Sequence, residues 1–579
     1  MRYIFFVIVL SLSMVLFSSC NKKVDRPNIV IIMMDDMGWG DMGLHGNRKL
    51  KTTLLDILAK KSVEFNRFYV SPYGASTRAT VLTGKYPLNT GVSWISNRKE
   101  VIPAEEEILP ELLKPYGYTS GFFGKWSNGI QYPNDPLGQG FDEFFGFKGD
   151  HLSNYFGSKA FHNLEEVDTR GYFTDVIIEK AIEFINTKKD EPFLCFLSLN
   201  TPHKPFQVDD NFYEKYSARD MGAENTTVYG MIEHIDLKIM EVLNALETIG
   251  KSNNTILIFM SDNGPNTVRY NGAMKGIKGS VDEGGVRVPF FIRYPKENIG
   301  NKKIKEGFAT DLDILPTLLD LCDIPLSEKF DGVSLVNTLK YDKPLPDRLF
   351  FTHQPKSELT KIPGAVRTQN YLLTISSEDT LLYDLKADPM QHRDIKELHQ
   401  DVVHKWLAEY DSWINNLIAE GITPPLIPVG YDNINEIELP AQEGILSDSL
   451  NFMGKMGLAN DYVIGFKSDS DVVRFDLDVV DKGEFELFVK LSALHTGDDT
   501  QIKIKSNDLI ITKNLSDAKA NRIYGPDRAG RDDVFEKDWP LISIGTLEFN
   551  QGEESISISF SGLESSTEIE FKSLHLVKK

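Results

Sequence analysis

The chain has 579 residues, 41% of them hydrophobic and 11% aromatic, which is enough for roughly two to four buried cores and excludes a disordered protein. Its 63 Lys and Arg stand against 84 Asp and Glu, and the formal charge of −21 excludes nucleic acid as a partner, because most of the surface repels polyanions. Any sulfated or phosphorylated ligand has to be held by a local cluster of cations or by a metal ion.

The chain opens with MRYIFFVIVLSLSMVLFSSC: one Arg, an apolar run of secretory length, then small residues ahead of Cys20. The pattern resembles a bacterial lipoprotein signal peptide over residues 1–20. It predicts export, lipidation of Cys20 and anchoring to a bacterial membrane, in the periplasm or at the cell surface. The other reading is an uncleaved membrane anchor, for which the apolar run is short. Cys195 and Cys322 lie in apolar segments and read as buried thiols, not as a disulfide framework, and no Cys-His metal spacing occurs.

From residue 28 to about 330, short apolar runs alternate with longer amphipathic ones, the pattern of an α/β domain with a mainly parallel sheet. NIVIIMM, YTSGFF, FLCFLSL and TILIFM read as strands, and FTDVIIEKAIEFINTKK and MIEHIDLKIMEVLNALETIG as helices. DDMG follows the first strand, GKW the second, NTPHKP the third and SDNG the fourth. Ligands of open α/β sheets bind beyond the carboxyl ends of the strands. Asp35, Asp36, Lys125, His203, Asp262 and Asn263 are therefore expected to converge.

Residues 331–420 read as a smaller α+β unit closed by the helix VVHKWLAEYDSWINNLIAEG, and 421–432, rich in Pro and Gly, as a linker. Beyond it FELFVKLSAL, QIKIKSNDLIITKNL, GTLEFNQGEESISISFSG and EIEFKSLHLV alternate with period two, which predicts an all-β sandwich over 433–579. Tyr524 and Trp539 are candidates for stacking on sugar rings, and equally for ordinary packing.

Adjacent carboxylates at one strand end and an Asp-Asn pair at another are hard oxygen ligands suited to Ca2+ or Mg2+, although an isolated Asp-Asp is more often a helix cap or a solvated turn. NIVIIMMDDMGWGDMGLHGN, RATVLTGKYP, GFFGKW, GFDEFFGF, TPHKP, FMSDNGPN, KGSVDEGGVRVPFFIRYP, DLDILPTLLDLCDI, DGVSL and LYDLKADP then occur in the order found in the type I sulfatases, the formylglycine-dependent sulfatases of the alkaline-phosphatase superfamily, which the chain resembles from about 27 to 420. The resemblance implies a sulfatase α/β core over 21–330 with a smaller C-terminal subdomain. It also implies one Ca2+ held by Asp35, Asp36, Asp262 and Asn263, a sulfate gripped by Arg78, Lys125 and Lys278, and His203 as acid on the leaving oxygen. His151, His353 and Arg367 stand near family pocket segments and are expected on the substrate side.

Two departures stand out against that pattern. Anchoring on Arg78 and the LTG of residues 82–84 puts Gly74 where the family carries the Cys or Ser that is oxidised to formylglycine. GKWSNG places Ser127 where the family usually has the His that expels sulfate from the sulfated aldehyde hydrate. Three readings stay open: a sulfuric-ester hydrolase of a sulfated polysaccharide working by an unusual route, a catalytically silent protein that binds sulfated glycan, and a phosphate-ester hydrolase or transferase using Ser76 or Thr77.

Overall fold

The computed structural model describes residues 25–454, 458 and 460–579. The leader 1–20 and Cys20 lie outside the described residues. A ten-stranded sheet carries the N-terminal half, and its centre is built from β1 (Asn28–Met34), β2 (Thr119–Lys125), β3 (Phe193–Ser198) and β4 (Thr255–Ser261) in the spatial order β4-β1-β3-β2. All three of these contacts are parallel.

The apolar runs explain that arrangement. Every residue of β1 is buried, with Ile29, Ile31 and Met33 entering one hydrophobic cluster and Val30, Ile32 and Met34 another. The period-two pleat therefore feeds a core on each face, as a sheet covered by helices on both sides requires. In α2 (Phe173–Thr187), which follows α1 (Gly74–Thr83), Ile177, Ile178, Ala181, Phe184 and Ile185 form the inward stripe. Helix α3 (Gly222–Thr248) begins well before Met231, the start its periodicity indicated.

The sheet is mixed towards its edges. Phe290–Arg293 runs antiparallel to β4, and Lys159–His162 antiparallel to Glu143–Phe147. Lys159–His162 and Glu165–Asp168 form a hairpin turned at Asn163, whose φ of 56° is the left-handed geometry that tight two-residue turns need. The smaller unit is an antiparallel four-stranded sheet, Phe350–His353, Gly364–Arg367, Tyr371–Ile375 and Thr380–Asp384. The helix α4 (Gln400–Glu420) places Val403, Trp406, Tyr410 and Ile414 against its Val366, Leu373 and Leu382.

Two facing β-sheets make the C-terminal domain, with Val473, Phe475 and Leu477 of one and Phe485, Leu487 and Val489 of the other in a single core. This domain begins earlier than the linker reading allowed: Ile427–Val429 already pairs in parallel with Leu477–Val479. Pro428 is tolerated there because the strand lies at the edge of its sheet, where a missing N–H breaks no ladder. Trp539 is packed edge-on to Tyr462 with Lys537 over both rings, whereas Tyr524 is 73% exposed.

Arg98 joins the two halves of the molecule. Its guanidinium pairs with Glu443 at 3.1 Å and donates to Pro425 O at 2.7 Å and Leu426 O at 3.0 Å. Arg98→Ala strands the buried Glu443 carboxylate, and breaking such a pair costs about 3–5 kcal/mol. Calorimetric scans are expected to resolve two unfolding transitions in this variant where the native chain shows closer coupling.

Candidate functional site

The site forms where β1, β2 and β4 end and the N-terminus of α1 points at the same rim. Asp35 and Asp36 follow β1, and Asp36 takes a left-handed backbone turn with φ of 66°, a conformation Asp tolerates better than most residues. Its own N–H donates to Asp262 Oδ1 at 3.1 Å, and Asn263 Nδ2 donates to Asp36 Oδ1 at 2.7 Å, which ties the end of β1 to the end of β4. Lys125 closes β2. The preceding Gly124 has φ of 116°, and a Cβ on it would lie 1.9 Å from Ser198 O of β3, so only glycine fits there. Trp126 is fully buried, its Nε1 donating to Asn134 O at 3.0 Å, and anchors the chain behind Lys125.

Three cations from three different elements reach the carboxylates. Lys125 Nζ lies 2.7 Å from Asp35 Oδ2, Lys278 Nζ 2.7 Å from Asp36 Oδ1, and Arg78 NH1 2.5 Å from Asp262 Oδ2. Arg78 NH2 also stands 3.7 Å from Asp35 Oδ2, and Arg78 Nε donates to Ser198 Oγ at 3.2 Å. His203 Nε2 is 3.8 Å from Asp36 Oδ2, and its Nδ1 is 2.7 Å from Lys204 O. A carbonyl can only accept, so Nδ1 carries the proton and Nε2 faces the cluster.

These groups are buried, apart from Lys278, whose side chain is 20% exposed, and their electrostatics follow from their neighbours. Burial works against charge on Asp35, yet Lys125, His203, Arg78 and Lys278 hold its carboxyl well below the usual carboxylate range. Burial together with Asp35 pushes the Asp262 carboxyl up in spite of Arg78. Burial opposes the Lys278 ammonium, but Asp36, Asp35 and Asp262 hold it well above the ordinary value. Asp262 is thus crowded by like charge, the condition that a cation relieves.

The oxygens left over make the same point. Asp35 Oδ1, Asp36 Oδ2 and Asn263 Oδ1 are buried with no hydrogen-bond partner, although buried polar atoms are nearly always paired. One ligand atom each from Asp35, Asp36 and His203 lies within 4.8 Å of the others. Three unpartnered hard oxygens fit a divalent cation of the Ca2+ or Mg2+ type.

One site residue escaped the sequence. Asp150, which follows the strand Glu143–Phe147, lies 3.1 Å from Lys125 Nζ and accepts from Ser127 Oγ at 3.0 Å. Applying the strand-end rule to that strand as well would have found it. Asp35, Asp36, Asp150 and Asp262 face the cations Arg78, Lys125 and Lys278. A divalent cation and a singly charged anion would together neutralise the difference.

Of the three residues expected on the substrate side, His151 lies beside His203, with ring centroids 5.6 Å apart. Arg367 is fully buried, stacks on Tyr69, and bonds Thr352 Oγ1 at 2.9 Å and Val281 O. The ring of His353 bonds Thr360 O at 2.7 Å. Both are held by the fold, and among the described residues neither contacts the carboxylate cluster.

Gly74 is the first residue of α1. A Cβ built on it points into the cluster, 2.1 Å from Asp262 Oδ2 and 2.4 Å from Arg78 NH1. Gly74 and Arg78 share a helix face, while Ser76 is turned about 200° away from Gly74 at 100° per residue. Thr77 Oγ1 accepts from Ser71 N at 3.1 Å and is occupied by the turn that enters the helix.

The sequence family described as Sulfatase matches residues 27–324, and that described as N-sulphoglucosamine sulphohydrolase, C-terminal, matches 278–412. N-acetylgalactosamine-6-sulfatase of Mus musculus is 30% identical over 393 residues, 61% of this chain and 74% of that protein. The ulvan-active sulfatase of Formosa agariphila is 28% identical over 439 residues, 69% of this chain and 84% of that protein. Ps i-CgsB, solved in complex with k-i-k-neocarrahexaose, superposes with a TM-score of 0.63 at 26% identity, over 67% of this chain and 93% of that one.

Proposed function

The chain belongs to the sulfatase family, and from that premise we propose that it binds a sulfate ester of a sulfated poly- or oligosaccharide against Arg78, Lys125 and Lys278 and hydrolyses it without a covalent sulfo-enzyme. One observation carries this reading: three cations and three unpartnered hard oxygens, drawn from distant segments, meet at a single buried rim. The names of the relatives, one active on ulvan and one an N-acetylgalactosamine-6-sulfatase, support a sulfated glycan as substrate.

In the proposed reaction Arg78, Lys125 and Lys278 take the non-bridging sulfate oxygens, where charge is held through the transition state in a water-poor pocket. Asp35, Asp36, Asp262 and Asn263 would hold a divalent cation, Ca2+ or Mg2+, whose charge polarises the ester when bound. His203 presents Nε2 towards the cluster and donates a proton from it to the leaving oxygen when the ring is cationic. Gly74 supplies no attacking side chain, so water is the nucleophile: its oxygen bonds to sulfur as the sulfur–oxygen bond to the sugar breaks. The sugar oxygen takes the His203 proton, and one proton of the water replaces the one His203 gave. The rate falls several orders of magnitude below that of a family member with the oxidisable residue.

Gly74 and Ser127 together favour a second reading, a protein that binds sulfated glycan and releases nothing. The phosphate-ester reading is disfavoured, since α1 turns Ser76 away from the face shared by Gly74 and Arg78. Export and a lipid anchor at Cys20 complete the proposal and rest on the leader pattern.

The test measures binding and sulfate release with N-acetylgalactosamine 6-sulfate and with ulvan and carrageenan oligosaccharides, in the native chain and in Lys278→Ala. Slow release by the native chain, abolished in Lys278→Ala, is the expected result. Binding without release selects the second reading, and no binding at all rejects both.

A further inference from the structure

We propose that the C-terminal β-sandwich completes the saccharide pocket: Asp533 of the sandwich and His151 of the α/β core together bind a free hydroxyl of the sugar beside its sulfated carbon. This rests on the sulfate-ester reading above.

Asp533 sits on a loop whose base is the pairing of Asn521–Arg522 with Lys537–Asp538. The loop leaves its own domain and grips the core. Arg528 N donates to Phe206 O at 2.9 Å, just beyond His203, and Arg531 NH1 donates to Ser153 O at 2.9 Å, just beyond His151. Gly525 lies so close to the core that a Cβ on it would stand 1.9 Å from Asn154 Oδ1. The sandwich is therefore locked onto the two segments that carry the site's histidines.

Asp533 Oδ1 pairs with Lys204 Nζ at 2.7 Å, whereas Oδ2 is left facing His151 Nε2 at 3.6 Å, too far for a hydrogen bond. Both atoms are buried, neither has a hydrogen-bond partner, and the His151 side chain is only 6% exposed. A hydroxyl answers both needs at once, donating to the carboxylate and accepting from the His151 ring in the tautomer that carries its proton on Nε2. A second sulfate does not, because it carries no proton to give to Asp533 Oδ2, the oxygen that Lys204 leaves unpaired. The His151 ring stands edge-on to His203, the proposed acid, which puts the bound hydroxyl next to the leaving oxygen. The subsite thus selects a ring with a free hydroxyl beside the sulfate and rejects the vicinal disulfate.

The experiment titrates four probes by calorimetry: a galactoside monosulfate, the vicinal disulfate of the same galactoside, inorganic sulfate and CaCl2. Native protein is expected to prefer the monosulfate over the disulfate by at least about tenfold, and Asp533→Ala to bind the monosulfate about 10- to 100-fold more weakly, the worth of one charged hydrogen bond. Inorganic sulfate and Ca2+ should bind Asp533→Ala as they bind the native chain. Asp533→Asn, which keeps a polar partner without the charge, should recover monosulfate binding and lose the discrimination against the disulfate. Unchanged monosulfate affinity in Asp533→Ala overturns the proposal, as does parallel loss of sulfate and Ca2+ binding, which marks a purely structural role. A native chain that binds neither galactoside defeats the sulfate-ester reading itself.

Discussion

Gly74→Cys, co-produced with a formylglycine-generating enzyme, is expected to release one equivalent of product and stop, while Gly74→Cys combined with Ser127→His turns over at least about 1,000-fold faster than the native chain. The first half follows from division of labour. An aldehyde hydrate at 74 attacks sulfur, but with Ser127 in place no base takes the spare hydroxyl proton, so the sulfated intermediate stays. The second half follows from the position of Ser127, whose Oγ now bonds Asp150 and whose backbone is left-handed at φ of 67°. A histidine there pays a conformational cost of about 1–2 kcal/mol and gains Asp150 as an orienting acceptor. The new Cβ at 74 meets the Asp262 carboxylate, at both Oδ2 and Cγ, and Arg78 NH1, so that pair has to part. Ca2+ in the buffer offsets the partner Asp262 loses. Burst stoichiometry and intact-protein mass measure the outcome. If mass spectrometry shows the aldehyde and the double variant is no faster than the native chain, Gly74 does not occupy the nucleophile position.

Asp36→Asn is expected to abolish the stabilisation of the protein by Ca2+. A ligand that binds only the folded state adds about 4 kcal/mol at a thousandfold excess over its Kd, which raises the melting temperature of the native chain by several degrees. EDTA should remove that increment. The substitution keeps the volume and the Oδ1 acceptor of Asp36, but it removes the charge that faces Lys278 at 2.7 Å and with it much of the pull on a cation. Scanning fluorimetry with EDTA, Ca2+ or Mg2+ reads the difference. Native protein whose melting temperature ignores all three defeats the metal assignment, and a normal Ca2+ response in Asp36→Asn removes Asp36 from the ligand set.

Much of the site was legible because parallel strands impose it. β1, β2, β3 and β4 are each a short apolar run followed by polar residues, and parallel neighbours must bring their carboxyl ends to one rim. Asp35, Asp36, Lys125, His203, Asp262 and Asn263 therefore meet although more than two hundred residues separate the first from the last. Arg78 and Lys278 came from the resemblance, not from the pattern, since nothing in their local sequence marks them among the many cations of the chain.

Other features had no local signature. Arg367 looked like a pocket residue by position along the chain, but the fold spends its guanidinium on Val281 and Thr352, whereas His353 bonds Thr360 through Nε2 alone and keeps Nδ1 unpartnered. Pro428 made an edge strand look like a linker, because proline disqualifies a central strand but not an outer one. The resemblance alone put Gly74 at the position of a side chain. Only the folded structure shows that the Asp262 carboxylate and the Arg78 guanidinium stand where its Cβ would be.

By itself the sequence determined the α/β core, the β-sandwich and the rim at which the polar residues collect, because hydrophobic periodicity is local and parallel pairing leaves little choice of geometry. The tertiary structure alone decided that a loop near residue 530 lies against residues 151 and 204. Docking of one domain on another depends on surface shape and on individual polar contacts such as those of Arg98 and Arg528, and these carry no period along the chain.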